Sequence, residues 1–524
     1  MATDRRQFLT RAGLAGSALG TGCFLQGLPA VSAQEVANTT QLVPLDSGIE
    51  PTVRLIEETP RAEIIETIAA RIKSGLSYRE VLGGLLLAGV RNVQPRPAVG
   101  FKFHSVLVVN SAHLASLASP DQDRWLPILW ALDYFKATQA EEARQTGWRM
   151  EPVKESQIPA PSHAREAFVQ AMDSWHVEQA DAAIAGLVRT AGRNELFELF
   201  CRYGARDYRS IGHKAIYVAN SFRTLDCIGW EHAEPVMRSL AFALLNHSGE
   251  DNPARSDLEP DRPWRMNQER IEQIPASWLD GGENKAASLE LITALREASA
   301  EDASRIAIEA LNQQVSAQGV WDAVLVAAGE LLMRQPGIIG LHAVTTANAL
   351  RYAFQTSGEE DSRRMLLLQA CSFLPLFRKS AEGRGALAST TIEALAGGEA
   401  AGNTQQPDAQ QPNTQQPNTQ QPDAQAHIDQ IFSEVSRDRQ QAAQSLYHFM
   451  QAGGSAEAIM NEARRLVFLK GRDAHDYKFS AAVLEDYYQV SPGMRDQFLA
   501  LSVFNLRGSE DRDNELVTRM RVAI

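Results

Sequence analysis

Four stretches of this chain can be laid over one another, and that self-similarity restricts the fold more than any other feature. They cover residues 64–135, 180–245, 303–377 and 442–506. Each reads helix, Gly/Ser turn, helix, loop, His, helix, polar loop, helix. The agreement is one of pattern, with little residue identity. A unit of this kind cannot close a core by itself and buries its apolar stripes against its neighbours. The expectation is therefore an all-α chain, a helical repeat array of four diverged four-helix units, either a solenoid or a closed α/α ring.

The local pattern agrees. Ala182-Ala183-Ile184-Ala185-Gly186-Leu187-Val188 and Ile306-Ala307-Ile308-Glu309-Ala310-Leu311 repeat small and aliphatic residues three and four apart, the helical period. Loops fall at Ser119-Pro120 and Gln335-Pro336-Gly337. The expected units span 59–145, 160–248, 285–398 and 429–524, with an irregular lead-in over 34–58. Between the last two units, over 399–428, lies a five-residue repeat of the NTQQP type. It has almost nothing to bury, so a disordered linker is expected there.

The N-terminus carries an address. Thr3-Asp4-Arg5-Arg6-Gln7-Phe8-Leu9-Thr10 resembles the twin-arginine export motif, and a Gly- and Ala-rich apolar run follows to Ala30. Val31 and Ala33 suit signal peptidase, so residues 1–33 read as a twin-arginine signal peptide cleaved after Ala33. A lipoprotein at Cys23 fits less well, because Gly20 stands where an aliphatic residue is wanted. This predicts the twin-arginine export machinery as a partner and a periplasmic or secreted location. That route carries folded proteins, often with a cofactor already loaded. The leader is too short and Gly-rich to span a membrane, and no later run is long enough to do so. Cys201, Cys227 and Cys371 form no disulfide framework; Cys201 and Cys227 could pair or stay as buried thiols. A formal charge of -13 with scattered basic residues argues against nucleic acid as a partner.

Superposing the four stretches isolates one chemical constellation. His104, His213, His342 and His475 occupy the same place, opening the third helix of each unit, at separations of 109, 129 and 133 residues. Equivalent positions in an array face the same side, and in a closed ring that side can be the interior. Four neutral imidazoles meeting there would suit a transition metal, and near-neutral pKa values would suit proton transfer. Taken singly, a His near a helix start can bond a carbonyl and do nothing more. The second unit adds Asp207 and Lys214 beside His213, and Asn220 and Arg223 further along the helix. Its Trp230-Glu231-His232-Ala233-Glu234-Pro235 segment sets His232 at a helix start or a cavity rim, with Glu231 and Glu234 either orienting a metal-binding histidine or complementing the helix dipole. Asn110 and Asn348 both follow their His by six residues. His113 should face away from His104, while His163, His176, His247, His427 and His448 have no counterparts.

These positions assign His104, His213, His342 and His475 as metal ligands, and His213, His342, Lys214 and Asp207 as catalytic groups. Arg223, His232, Asn348 and Arg351 would position an oxygen-rich or anionic small-molecule substrate. There is no Cys-x-x-Cys pair, His-Glu-x-x-His helix, c-type haem sequence or Gly-x-Ser-x-Gly elbow, and Gly383-Arg384-Gly385 lacks the context of a nucleotide loop.

The run Leu341-His342-Ala343-Val344-Thr345-Thr346-Ala347-Asn348-Ala349-Leu350-Arg351 resembles a recurring segment of questin oxidase-like proteins, as do more loosely the helices at His104 and His213. The resemblance covers about a third of the chain. It implies a helical oxidoreductase, its named member being assigned a Baeyer–Villiger-type opening of an anthraquinone ring. The export leader and the NTQQP tract depart from that family, and reduced nicotinamide is not expected outside the cytoplasm. Two readings follow: an exported metal-dependent or oxidoreductase-like enzyme with a buried histidine-lined site, or a periplasmic helical-repeat binding or scaffold protein without catalysis. A third, a non-metal lyase or hydrolase using His213 and Asp207, has no motif behind it.

Overall fold

In a computed structural model, residues 48–95, 101–245, 252–397 and 421–524 are described. Among them every regular element is helical. No described helix is long and apolar enough to cross a membrane. The leader, most of the lead-in and residues 398–420 of the NTQQP tract lie outside the described residues.

The described residues open with α1 (Glu50–Glu58), α2 (Ile64–Lys73), α3 (Tyr78–Asn92), α4 (His104–Leu117) and α5 (Leu126–Gln145). Next come α6 (Ala164–Asp173), α7 (Val177–Val188), α8 (Arg193–Gly204), α9 (His213–Ile228) and α10 (Ala233–Leu244). The third part holds α11 (Arg262–Arg270), α12 (Lys285–Glu297), α13 (Ala300–Asn312), α14 (Ala317–Arg334), α15 (Ile338–Thr356) and α16 (Glu360–Glu382). The last holds α17 (Gln421–Arg437), α18 (Arg439–Gln451), α19 (Ala456–Lys470), α20 (Ala474–Asp486), α21 (Arg495–Ser502) and α22 (Leu516–Ala523).

Two expected boundaries are corrected. Residues 50–58 of the irregular lead-in are the helix α1, because Thr52, Val53 and Ile56 form a buried stripe and Pro51 sits in the first turn. The linker expected to reach residue 428 ends earlier, at Gln421, where α17 begins; Ile428, Ile431, Phe432 and Val435 bury one face of it.

Four helices form the centre. Helix α4 packs on α9, α9 on α15, α15 on α20, and α20 back on α4, so the quartet is closed. Each is covered on its outer side by the helices that flank it in sequence: α3 and α5 on α4, α8 and α10 on α9, α14 and α16 on α15, α19 and α21 on α20. Such a helix has no solvent face, and the composition shows it. In α4 every residue from 104 to 116 except Leu114 is buried, and in α15 every residue from 339 to 351. Helices apolar or small all round are what an interior position requires.

The helix ahead of each central one starts at a matching place. Ser77, Ser316 and Ser455 cap α3, α14 and α19 through their hydroxyls, Ser77 in a reciprocal capping box with Glu80. Gly192 holds the same place before α8. Each serine hydroxyl satisfies an amide left orphaned at the helix start.

The chain also closes on itself at its outer rim. Helix α22 packs on α2 and α5. Arg519 donates to both oxygens of Glu66 (2.7 and 2.6 Å), Lys73 Nζ to the carbonyl of Ala523 (2.8 Å) and Arg521 to Asp123 (3.0 Å).

Candidate metal centre

His104 and His213 open their central helices and His475 is the second residue of α20, whereas His342, also expected to open its helix, lies one turn inside α15; the closed quartet brings the four rings together. Adjacent ring centroids are 5.0 Å apart for His104–His213, 4.4 Å for His213–His342, 5.3 Å for His342–His475 and 4.5 Å for His475–His104. The His104–His342 diagonal is 6.3 Å. His104, His213 and His342 are buried, and the His475 side chain keeps 24% of its exposure. One edge of the cluster therefore faces outward.

Local backbone sets the rings. Gly212, at φ +80°, turns the chain sharply into α9, and His213 is the first helical residue. A side chain on residue 212 would collide with Thr346 of α15, so a glycine lets the start of α9 press onto that helix. His213 Nδ1 then lies 2.8 Å from the carbonyl oxygen of Ser210, and His342 Nδ1 lies 2.6 Å from that of Ile338. Asp473 caps α20 and places His475, whose Nδ1 is 3.4 Å from Asp473 Oδ1 and whose Nε2 is buried without a partner among the described residues.

A carbonyl oxygen only accepts, so Nδ1 of His213 and of His342 must each carry a hydrogen. In the neutral ring that leaves Nε2 as a bare lone pair. These two Nε2 atoms are 2.8 Å apart, and His104 Nε2 is 3.2 Å from His213 Nε2. Two lone pairs at that distance repel unless a cation lies between them. A proton is a poor candidate. Burial, reinforced by His342, Lys478 and His104, holds His213 well below the usual histidine range. Burial and Lys478 do the same to His342. A metal ion fits. Two nitrogens about 2.0–2.1 Å from one ion stand about 2.8–3.4 Å apart for angles from square to tetrahedral. The ligand atoms of His104, His342 and His475 also lie within 4.8 Å of one another.

Further along the same four helices lies a cavity of about 10 Å³, room for about one water molecule, with none of the four histidines among its lining residues. All four central helices line it, with Asn110, Asn220, Asn348 and Lys478 among its walls. Asn110 and Asn348, matched in the sequence, do face one space. At its far end Arg223 donates to Asn348 (3.1 Å) and to Glu485 (2.7 Å), while Asn348 donates to Glu485 and Asp486 (both 2.9 Å). Burial, aided by Glu485, pushes the Asp486 carboxyl up to about 8.

Other expected residues stand elsewhere. Lys214 follows His213 by one residue, a turn of about 100° around the helix, and points away from the axis. Its ammonium donates to both oxygens of Asp207 (2.9 and 2.7 Å) and lies 5.3 Å from the centre of the Trp175 ring. Burial opposes the charge on Asp207, but Lys214, Arg206 and Arg209 outweigh it and keep that carboxyl low. The pair braces the loop that presents His213. His232, buried at the start of α10, lies 4.0 Å from Glu231, whose other neighbour is Arg79. Arg351 reaches Gln318 (2.6 Å) and stacks over Trp321. His113 bonds Tyr78 (2.9 Å), away from the quartet. Cys201, Cys227 and Cys371 are free thiols.

Sequence reasoning missed Lys478, Glu485 and Asp486. Lys478 was detectable in the superposition. The residue three beyond each His is Leu107, Ile216 and Thr345 in the first three stretches and lysine in the fourth. No family model, curated protein or solved structure matches the chain.

Proposed function

We propose that His104, His213, His342 and His475 bind one transition-metal ion, and that the chain is an exported, metal-dependent enzyme of the oxidoreductase type. The observation that carries this is the pair of facing, bare Nε2 atoms of His213 and His342, 2.8 Å apart, with both Nδ1–H groups committed to backbone carbonyls. Ring nitrogens held by carbonyls in this way are the usual support of metal-binding histidines. An all-imidazole donor set suits copper, zinc, iron or nickel and disfavours magnesium or calcium. The partly exposed edge at His475 gives an ion or a small ligand a way in.

We read the fold around it as a closed α/α ring of four diverged units. In support, the helix before each His in the first three units packs on the helix after the His of the next: α3 on α10, α8 on α16 and α14 on α21. A twin-arginine leader suits this reading, since a centre drawn from four distant segments needs a folded chain before an ion can be held. A redox-active ion would agree with the resemblance to questin oxidase-like proteins.

The test is elemental analysis and absorption spectroscopy of protein purified from its natural compartment. One equivalent of a transition metal is expected, lost in the His213→Ala/His342→Ala double variant while the helical circular dichroism persists. Wild-type protein that takes up no copper, zinc, iron or nickel would refute the proposal.

A further inference from the structure

Away from the histidines, helices α8, α11 and α16 meet around a cleft of about 280 Å³. Its floor is apolar: Trp264, Met365 and Leu366 are buried there, with Ile271 and the Cys201 thiol beside them. Its rim is charged. Arg202 comes from α8, and Glu359 and Asp361 come from the start of α16. All three side chains are exposed, and none forms an ion pair among the described residues.

Acids in a first helical turn are commonplace, because they complement the helix dipole. Their company is what matters here. Arg202 and Glu359 both bear electrostatically on the Cys201 thiol, so guanidinium and carboxylate share one end of the cleft, yet they do not meet. The guanidinium lies instead 6.0 Å from the centre of the Trp264 ring, a cation–π contact that keeps it over the floor. A gap between opposite charges above an apolar floor is complementary to a molecule that carries both charges and an apolar body. Volume limits the size of that molecule. At about 30 Å³ for each water-sized particle the cleft holds roughly nine, and it falls just short of the range of about 300–1,000 Å³ that suits drug-sized ligands.

We propose that this cleft binds a single α-amino acid with an apolar side chain. Arg202 donates to its carboxylate, a charge-assisted contact that the planar guanidinium can make through two hydrogen bonds. Glu359 and Asp361 accept from its ammonium, and Met365, Leu366 and Trp264 cover its side chain. None of the four histidines lines the cleft, so the site does not depend on a metal ion.

The experiment is isothermal titration calorimetry of the full mature chain with L-leucine, beside L-leucinamide, N-acetyl-L-leucine and glycine. Leucine should bind. Leucinamide lacks the carboxylate, acetylleucine the ammonium and glycine the apolar body, so each should bind roughly tenfold or more weakly than leucine. Arg202→Gln should weaken leucine by a similar factor and leave leucinamide unchanged. The Glu359→Gln/Asp361→Asn double variant should weaken leucine likewise and leave acetylleucine unchanged. Both variants should keep the wild-type melting temperature, because the three side chains hold no ion pair; the derivatives decide the matter on wild-type protein should a variant fold poorly. Failure of leucine to bind would overturn the site. Derivatives that bind as tightly as leucine would overturn it too, as would folded variants with wild-type affinity for leucine, since the molecule would then sit elsewhere.

Discussion

Gly212 ties the backbone to the centre, and Gly212→Ala is the most informative single substitution. The residue sits at φ +80°, where an L side chain costs about 1–2 kcal/mol. An added Cβ would lie 1.8 Å from Thr346 Oγ1, 2.7 Å from its Cγ2 and 2.8 Å from its Cβ. Rotating Thr346 could relieve the first two contacts. The third is fixed to α15, so the start of α9 must move by several tenths of an ångström, and overpacking of that kind costs about 1–3 kcal/mol. Together the variant should lose about 2–5 kcal/mol in urea unfolding followed by circular dichroism. The displacement also carries His213 away from His342, and metal–nitrogen distances tolerate only about 0.2 Å. Metal affinity measured with a competing chelator should therefore fall at least tenfold. Thr346→Ala added to Gly212→Ala removes two of the three contacts and should restore about 1–2 kcal/mol. A Gly212→Ala protein as stable and as metal-retentive as wild type would show that α9 and α15 do not meet as described.

Two further outcomes follow from buried charges. Lys214→Met strands Asp207 and should cost about 3–5 kcal/mol, most of it recovered in the Asp207→Asn/Lys214→Met double variant; equal stability of the single and double variants would deny the coupling. Asp486 has a folded pKa raised to about 8, so the folded chain holds a proton that the unfolded chain releases from about pH 4 upward. Its contribution is full on the acid side and is lost as pH rises toward 8. Asp486→Asn cannot ionise and keeps an acceptor for Asn348, so its melting temperature should gain on wild type between pH 5 and pH 8, and parallel melting curves across that range would contradict the assignment.

The helical class and the meeting of the four histidines were legible because both rest on periodicity: the first on the spacing of apolar residues, the second on four equivalent places separated by more than a hundred residues. No local motif would have joined His104 to His475. What sequence could not give was direction around a helix. His213 and Lys214 are neighbours in the chain, yet one faces the axis and the other a carboxylate behind it. Asp207 and Lys214 read as reactive groups because they flank a histidine, and their mutual ion pair depends on a loop that spacing does not specify. Glu485 and Asp486 were overlooked for the opposite reason. Acidic residues near a helix end look like solvated charge until burial is known.

The closed quartet has a consequence for biosynthesis. A ribosome releases the groups at residues 104, 213, 342 and 475 one at a time, and the last emerges more than three hundred residues after the first. A product that stops before residue 475 lacks one of the four imidazoles. On the proposed metal reading, loading waits for the segment that carries the fourth histidine, and correct folding can be read from a single bound atom.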